Sequence, residues 1–191
     1  MQDTALSIAL GIGLSAACGF RVFVPLLIMS IAAYTGHLTL YSNFEWIGTL
    51  PALIAFATAT VFEVLAYYIP WLDHVLDVVA TPAAVVAGVI ASASIFTDVS
   101  PTLRWVLALI GGGGIAGLVQ GATVLTRAKS TALTGGLGNP VVSTAELVSS
   151  AATSLLALLV PVICLILILA AVVFVFVKAR RLLFGRRLTA N

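Results

Sequence analysis

Leu133-Thr134-Gly135-Gly136-Leu137-Gly138-Asn139-Pro140-Val141-Val142-Ser143-Thr144-Ala145-Glu146 interrupts the chain between two long apolar segments. Three glycines and an Asn-Pro step cannot continue an ordinary helix. Irregular backbone at membrane depth is tolerated only where protein buries it or a water-filled cavity lies beside it. The stretch lies at or inside a membrane and is expected to mark a site.

Downstream, Pro140 to Val177 has no polar loop. As one helix it would run well over ~50 Å, too long for a bilayer core. A break near Pro161 leaves two readings: two spans turning tightly there, or a re-entrant half-helix from Pro140 followed by one span. Upstream lies a span from Arg104 to Thr126, containing Gly111-Gly112-Gly113-Gly114 and closing at Arg127-Ala128-Lys129. Before it, Ala83 to Phe96 is too short to cross untilted. That implies a helix interrupted at Thr81-Pro82 or one starting below the membrane surface. The segment from Trp46 to Trp71 has an aromatic at each end and Glu63 in its middle, and Ala5 to Ala33 contains Arg21, with a kink expected at Pro25.

Composition supports this reading. Of 191 residues 61% are hydrophobic and 8% charged, against about 25% charged in a soluble domain. The mean hydropathy is +1.19. Cys18 and Cys164 lie far apart in apolar segments, so buried thiols are expected, with no disulfide framework or metal spacing. Met1-Gln2-Asp3-Thr4 carries an acid where a signal peptide needs positive charge, so the first segment reads as a mature span.

The basic residues choose between the two readings of the C-terminal half. With six crossings and a cytoplasmic amino terminus, Arg127, Lys129 and the five basic residues of the tail lie inside. The expected fold is therefore all-α: a polytopic membrane helix bundle of about six spans. Broken helices are expected near Thr81-Pro82 and Gly138-Asn139-Pro140. Residues 1–178 form the transmembrane domain, and 179–191 a basic amphipathic cytoplasmic tail suited to anionic headgroups. Gly11, Ser15 and Gly19, and likewise Gly113, Gly117 and Gly121, share a helix face that a neighbour can approach closely. Pro51, Glu63 and Pro70 in the second span match Pro140, Glu146 and Pro161 in the fifth. The match suggests an inverted 3+3 repeat, although the proline-to-glutamate offsets differ.

Arg21 is the most expensive residue. An arginine at a helix centre costs about 2.5–3.5 kcal/mol on insertion scales, so it needs a partner in the protein interior. Glu63 or Glu146 is the natural counter-ion, and the bland reading is a buried ion pair that fixes register. Glu63 shares a face with Thr60 and Tyr67, and Glu146 one with Ser143, Ser150 and Thr153. Such stripes line hydrated paths or simply bond helices together. Asp73, His74 and Asp77 are weak candidates for a metal ion or proton relay, with solvated acids at a helix end the commoner outcome. His37 sits in a loop with no evident partner. Gly11-Ile12-Gly13-Leu14-Ser15-Ala16 matches a dinucleotide fingerprint in letters only, with no preceding strand. Gly138, Asn139 and Pro140 open a helix whose positive dipole end favours an anion.

The chain resembles DUF4126, a bacterial family of small membrane proteins of unknown function. The resemblance is carried by Gly13-Leu14-Ser15-Ala16-Ala17-Cys18-Gly19-Phe20-Arg21-Val22-Phe23-Val24-Pro25, Glu63-Val64-Leu65-Ala66-Tyr67-Tyr68-Ile69-Pro70-Trp71, Ala80-Thr81-Pro82-Ala83-Ala84, Gly117-Leu118-Val119-Gln120-Gly121 and Thr134-Gly135-Gly136-Leu137-Gly138-Asn139-Pro140. It implies a bacterial inner membrane and brings no activity.

The expected function is a transporter, channel or flippase for a small or lipid-linked substrate, an anionic one included. Arg21, Glu63, Glu146, Tyr67, Gly138, Asn139 and Pro140 would bind and couple. The alternatives are a structural or assembly subunit, or a membrane enzyme acting on a lipid. No nucleophile, histidine and acid arrangement supports the enzyme. No cofactor and no nucleic acid is expected; the bilayer is the partner, and self-association is allowed.

Overall fold

The computed structural model describes residues 4–69 and 72–184, with side chains for all of these except 72–75, 179 and 181–184. Every regular element among the described residues is helical: α1 (Thr4–Phe20), α2 (Phe23–Tyr34), a 3-10 helix (Ser42–Gly48), α3 (Leu50–Ala66), α4 (Leu72–Ile95), α5 (Pro101–Leu107), a π-helical turn (Ala108–Gly113), α6 (Gly114–Thr134), α7 (Asn139–Leu159) and α8 (Pro161–Phe184). Each start has a local reason. Thr49 accepts from the N-H of Ala52 at the head of α3, and Ser100 accepts from that of Leu103 at the head of α5. Prolines occupy the first turns of α3, α5 and α7, where a missing N-H removes no intrahelical bond.

The first apolar segment is not one span. It reverses at Arg21-Val22, and α2 runs back beside α1. The Oγ of Ser94, near the far end of α4, donates to the sulfur of Met29 at 3.5 Å, and the N-H of Tyr41 donates to the carbonyl of Ser94 at 2.7 Å. Near that same end of α4, Phe96 and Ser92 face Gly11 of α1. A helix continuing straight past Arg21 would put Met29 on the order of 30 Å from that level. The kink expected at Pro25 is therefore corrected: Pro25 lies in the first turn of α2, and the break precedes it. The break is held from elsewhere in the chain, because the N-H groups of Val22 and Phe23 donate to the carboxylate of Glu63.

The interruption expected at Thr81-Pro82 is also corrected. α4 runs unbroken through Pro82, and the Oγ1 of Thr81 donates to the carbonyl of Asp77 at 2.8 Å. The acidic turn and the short apolar stretch are one helix, which is why Ala83 to Phe96 looks too short to cross. Four helical segments among the described residues are long and apolar enough to cross: Leu76–Ile95, Pro101–Thr134, Asn139–Leu159 and Pro161–Lys178. The 3-10 helix and α3, bent by 62°, make a fifth if taken together.

α7 and α8 form an antiparallel hairpin. Ser143 lies beside Arg21, Ser150 donates to the carbonyl of Ala17, and Ala157 lies against Gly13. Cys164 also faces Gly13, and Ala171 and Val172 share a cleft with Phe20, so α8 returns along the same path. Of the two readings of 140–177, the structure has the pair of helices. α8 continues through Lys178 to Phe184, across the expected domain boundary.

This route places Arg127, Lys129 and Lys178 at one end, the basic end, whereas Thr4 opens α1 at the other. α1 and α2 are shorter apolar helices of 17 and 12 residues; residues 1–3 and 185–191 lie outside the description.

Close packing joins α1, α4 and α6. The Oγ of Ser15 meets the carbonyls of Gly11 and Gly88 and the Oγ of Ser92, all within 2.8 Å. A Cβ on Gly88 would lie 2.6 Å from that of Ala116 and 2.9 Å from the carbonyl oxygen of Gly112, so only glycine admits this approach. Gly11 and Gly19 meet neighbours as expected, whereas Gly121 has nothing within 4 Å and faces away from the contact. The proposed match of Glu63 with Glu146 does not become an equivalence: Glu63 is in the last turn of α3 and Glu146 in the second turn of α7.

Candidate functional site

The reversal delivers Arg21 into a charged cluster built by five elements. Arg21 is 1% exposed. Its Nη2 donates to the carbonyl of Ser143 at 2.8 Å and also to the Ser143 hydroxyl, and lies 3.7 Å from Oε2 of Glu146. Arg127, from α6, donates through Nε to Oε1 of Glu146 at 3.0 Å and through Nη2 to Oε2. Its Nη1 donates to Oδ1 of Asp77 on α4 at 2.8 Å. Both guanidinium groups lie against the ring of Tyr67, 4.0 and 3.9 Å from its centre. The Tyr67 hydroxyl makes a long contact of 3.4 Å to Oδ1 of Asp77.

Two arginines thus share Glu146, which lends one a bidentate partner and the other a looser one. Glu63 has a different task. Its two oxygens accept from the N-H groups of Val22 and Phe23 at 2.7 and 3.0 Å, so it caps α2 as an anion on a positive helix end. Of the two counter-ions expected for Arg21, the structure pairs it with Glu146.

The other expected residues divide. Ser143 joins the cluster, while Ser150 ties α7 to α1 and the Thr60 hydroxyl is buried without a partner. Gly138, Asn139 and Pro140 are not brought to Arg21. They belong to the turn between α6 and α7, where Gly135 and Gly136 take positive φ angles of 63° and 92°. There the N-H of Gly138 is already held by Oγ1 of Thr134, and the amide of Asn139 bonds Thr131. Within the opening stretch only Gly135 to Gly138 form the turn, because a glycine pair can close a helix hairpin within four residues, and Ser143 and Glu146 lie beyond it on α7. The Asp73 and His74 side chains lie outside the description. Asp77 is engaged by Arg127, and among the described residues no group of three His, Cys, Asp or Glu could hold a metal ion. His37 bonds Thr35 in an exposed loop.

Arg127 is the residue that the sequence analysis placed differently. It counts there only as a cytoplasmic charge, yet it is 3% exposed. The signal was present: Gln120, Thr123 and Arg127 follow at spacings of three and four, and all three are buried on one face of α6. Two clefts flank this helix. One of about 220 Å³ between α6 and α7 has Glu146, Thr123, Thr126 and Ser149 in its wall. Another of about 310 Å³ between α4 and α6 has Asp77 and Thr81 in its wall. Each cleft therefore touches one carboxylate partner of Arg127.

A helical membrane bundle whose first helix pair folds back to a buried arginine, ringed by carboxylates and a tyrosine, is the class of protein these features define. The chain belongs to the family described as Domain of unknown function (DUF4126), whose model matches residues 8–181. No curated protein and no solved structure matches it.

Proposed function

We propose that the protein is a membrane transporter or flippase for a small or lipid-linked substrate, with the tip of the α1–α2 hairpin as its site. The observation that carries this is the reversal at Arg21-Val22, because broken helices inside a membrane protein are where transporters place substrate and coupling ions. The mostly apolar clefts on both sides of α6, each with one carboxylate residue of the Arg127 network in its wall, support it as approaches to that network. In this reading the basic end faces the cytoplasm of a bacterial cell, since Arg127, Lys129, Lys178 and Arg180 gather there, and α1 begins on the outer side. The tail rests on anionic headgroups.

A second reading, a structural or assembly subunit, draws support from the pairing of Arg127 with both Glu146 and Asp77. Reconstitution in liposomes separates the two. Efflux of small anions and flipping of a fluorescent anionic lipid should fall about tenfold or more in Arg21→Ala, whose helical content should persist with a melting temperature lowered by only a few degrees. Equal rates in wild type and folded Arg21→Ala would remove the hairpin tip from the mechanism and leave the subunit reading.

A further inference from the structure

A crevice runs along the outside of the bundle between α6 and α7. The part nearer the α6–α7 turn is the cleft of about 220 Å³ with Glu146 and Ser149 in its wall. A second cleft, of about 210 Å³, continues it between Val119 of α6, Thr153 and Leu156 of α7 and Ile168 of α8. Phe20 lines both clefts, and Ser149 and Thr153 lie one helical turn apart, so the two form one path. Thr126, Ala145 and Leu167 in its walls are exposed, and α6, α7 and α8 belong to segments apolar enough to cross a membrane. In a bilayer the crevice therefore opens onto acyl chains. Its hydroxyls set it apart from ordinary packing. Elsewhere on α6 and α7 a hydroxyl is spent on the backbone one turn back, as Thr126 donates to Ala122, Thr144 to Pro140 and Ser154 to Ser150. Those of Ser149 and Thr153 bond nothing among the described residues. Hydrocarbon offers no water to take them up, so each needs a partner that the chain does not supply.

We propose that this crevice binds an acyl ester with a small uncharged hydroxyl head, of the monoacylglycerol class. The acyl chain lies along Leu156 and Ile168, the ester carbonyl accepts from Ser149 and Thr153, and a glycerol hydroxyl donates to Glu146. Glu146 is three residues before Ser149, a rise of about 4.5 Å, so the wall offers an acceptor, then donors, then apolar surface in the order in which such a lipid needs them. A carboxylate has about four acceptor sites and Arg127 takes two, which leaves room for a hydroxyl. The charge of the wall decides the head. Glu146 belongs to the wall and neither Arg21 nor Arg127 does, so an anionic head would meet a carboxylate first. The width decides against a helix as occupant, because a helix with its side chains is about 10–12 Å across. α6 and α7 are joined by the short turn at 135–138 and both pack on α1, which leaves a narrow gap. Although the site borrows Glu146 from the charged cluster, its occupancy does not depend on transport.

A monoacylglycerol carrying a diazirine in its chain tests it by photo-crosslinking in phosphatidylcholine nanodiscs. The label should saturate and map to peptides of α7 and α8. Monoolein should compete about tenfold better than methyl oleate, which has the ester without the hydroxyls, or oleate, which has a charge in their place. Ser149→Ala combined with Thr153→Val should weaken monoolein competition about tenfold, the value of two modest hydrogen bonds. Ala171→Phe, which fills the crevice from α8, should remove most of the label. The double variant should melt like wild type, since hydroxyls that bond nothing hold nothing together. A melting temperature several degrees lower would show them already spent in the fold and overturn the proposal. Label that never saturates, label undiminished in both variants, or equal competition by methyl oleate or oleate would overturn it as well. A dimer cross-linked through the crevice with no lipid label would put a second copy there and sink the lipid. Label in a protein whose flux ignores Arg21 keeps the lipid site and removes transport, and flux that depends on Arg21 with no label does the reverse.

Discussion

At each end of the bundle a buried arginine stacks on a tyrosine: Arg21 lies 4.0 Å from the centre of the Tyr67 ring, and Arg104 lies 3.3 Å from that of Tyr41. Their remaining partners differ in kind. Arg104 donates to the carbonyls of Phe96, Thr97 and Val99, at 2.6, 3.4 and 3.2 Å, in the loop that follows the end of α4 at Ile95. A cation there is favoured by the helix dipole and needs no carboxylate. Arg21 instead shares a carboxylate with Arg127, leans on one serine and leaves two nitrogens without acceptors. One arginine ties down the loop between α4 and α5. The other is held in a network whose geometry leaves it receptive, and the difference separates a structural role from a candidate site.

The largest effect should come from Glu146, the carboxylate that two buried arginines share. Glu146→Ala strips Arg21 of its counter-ion and leaves Arg127 with Asp77 alone. Breaking a buried pair from one side costs about 3–5 kcal/mol, so unfolding in nanodiscs should show a loss of that order. Glu146→Gln keeps one acceptor oxygen and should lose less. If Glu146→Ala melts like wild type, the cluster is hydrated and the contrast with Arg104 weakens.

Next in size is the direct exchange of the two arginines' fates. Arg104→Gln loses charge-assisted bonds to three carbonyls and should cost about 2–3 kcal/mol with little effect on flux. Arg21→Gln loses a looser set of bonds and sheds a desolvated charge, so its cost should be only about 1 kcal/mol while flux collapses. Thermal melts and liposome flux on the same preparations check both. The reverse pattern, a stable Arg104 variant without flux, would assign the functional role to the wrong end.

How much of this the sequence disclosed depends on how local each signal is. Helices, their apolar faces and the glycine contact at Gly11, Ser15 and Gly19 follow from spacing along one element, and they were legible. So was the need of Arg21 for a carboxylate, because a lone charge in an apolar segment has few ways to be tolerated. The reversal at Arg21-Val22 was not. Its stabilising partner, Glu63, lies some forty residues away, and the nearby Pro25 is a stronger local signal for a kink. Thr81-Pro82 misled in the opposite sense: a proline within a membrane helix is tolerated when neighbouring groups re-satisfy the backbone, and here the helix stays continuous. Arg127 fitted the charge bias of a cytoplasmic loop equally well as a free or a buried group, so only the buried stripe through Gln120 and Thr123 distinguished them.

The smallest effect concerns the two tyrosines, and it sharpens what the stacking contributes. In Tyr67→Phe the ring face that both guanidinium groups share is kept, while the 3.4 Å contact of its hydroxyl to Asp77 is lost. A contact that long carries little energy, so the variant should lose no more than about 0.5 kcal/mol, and Tyr41→Phe should behave alike. Tyr67→Leu is different, since it removes the ring from two cations at once. Each such interaction is worth about 1–2 kcal/mol when desolvated, so the leucine variant should be clearly destabilised and should also lose flux. Tyr41→Leu should lose stability alone, because Arg104 keeps its three carbonyls. If Tyr67→Leu kept full flux, the ring would be packing material at both ends, and the receptive character of Arg21 would have to rest on its unpaired nitrogens alone.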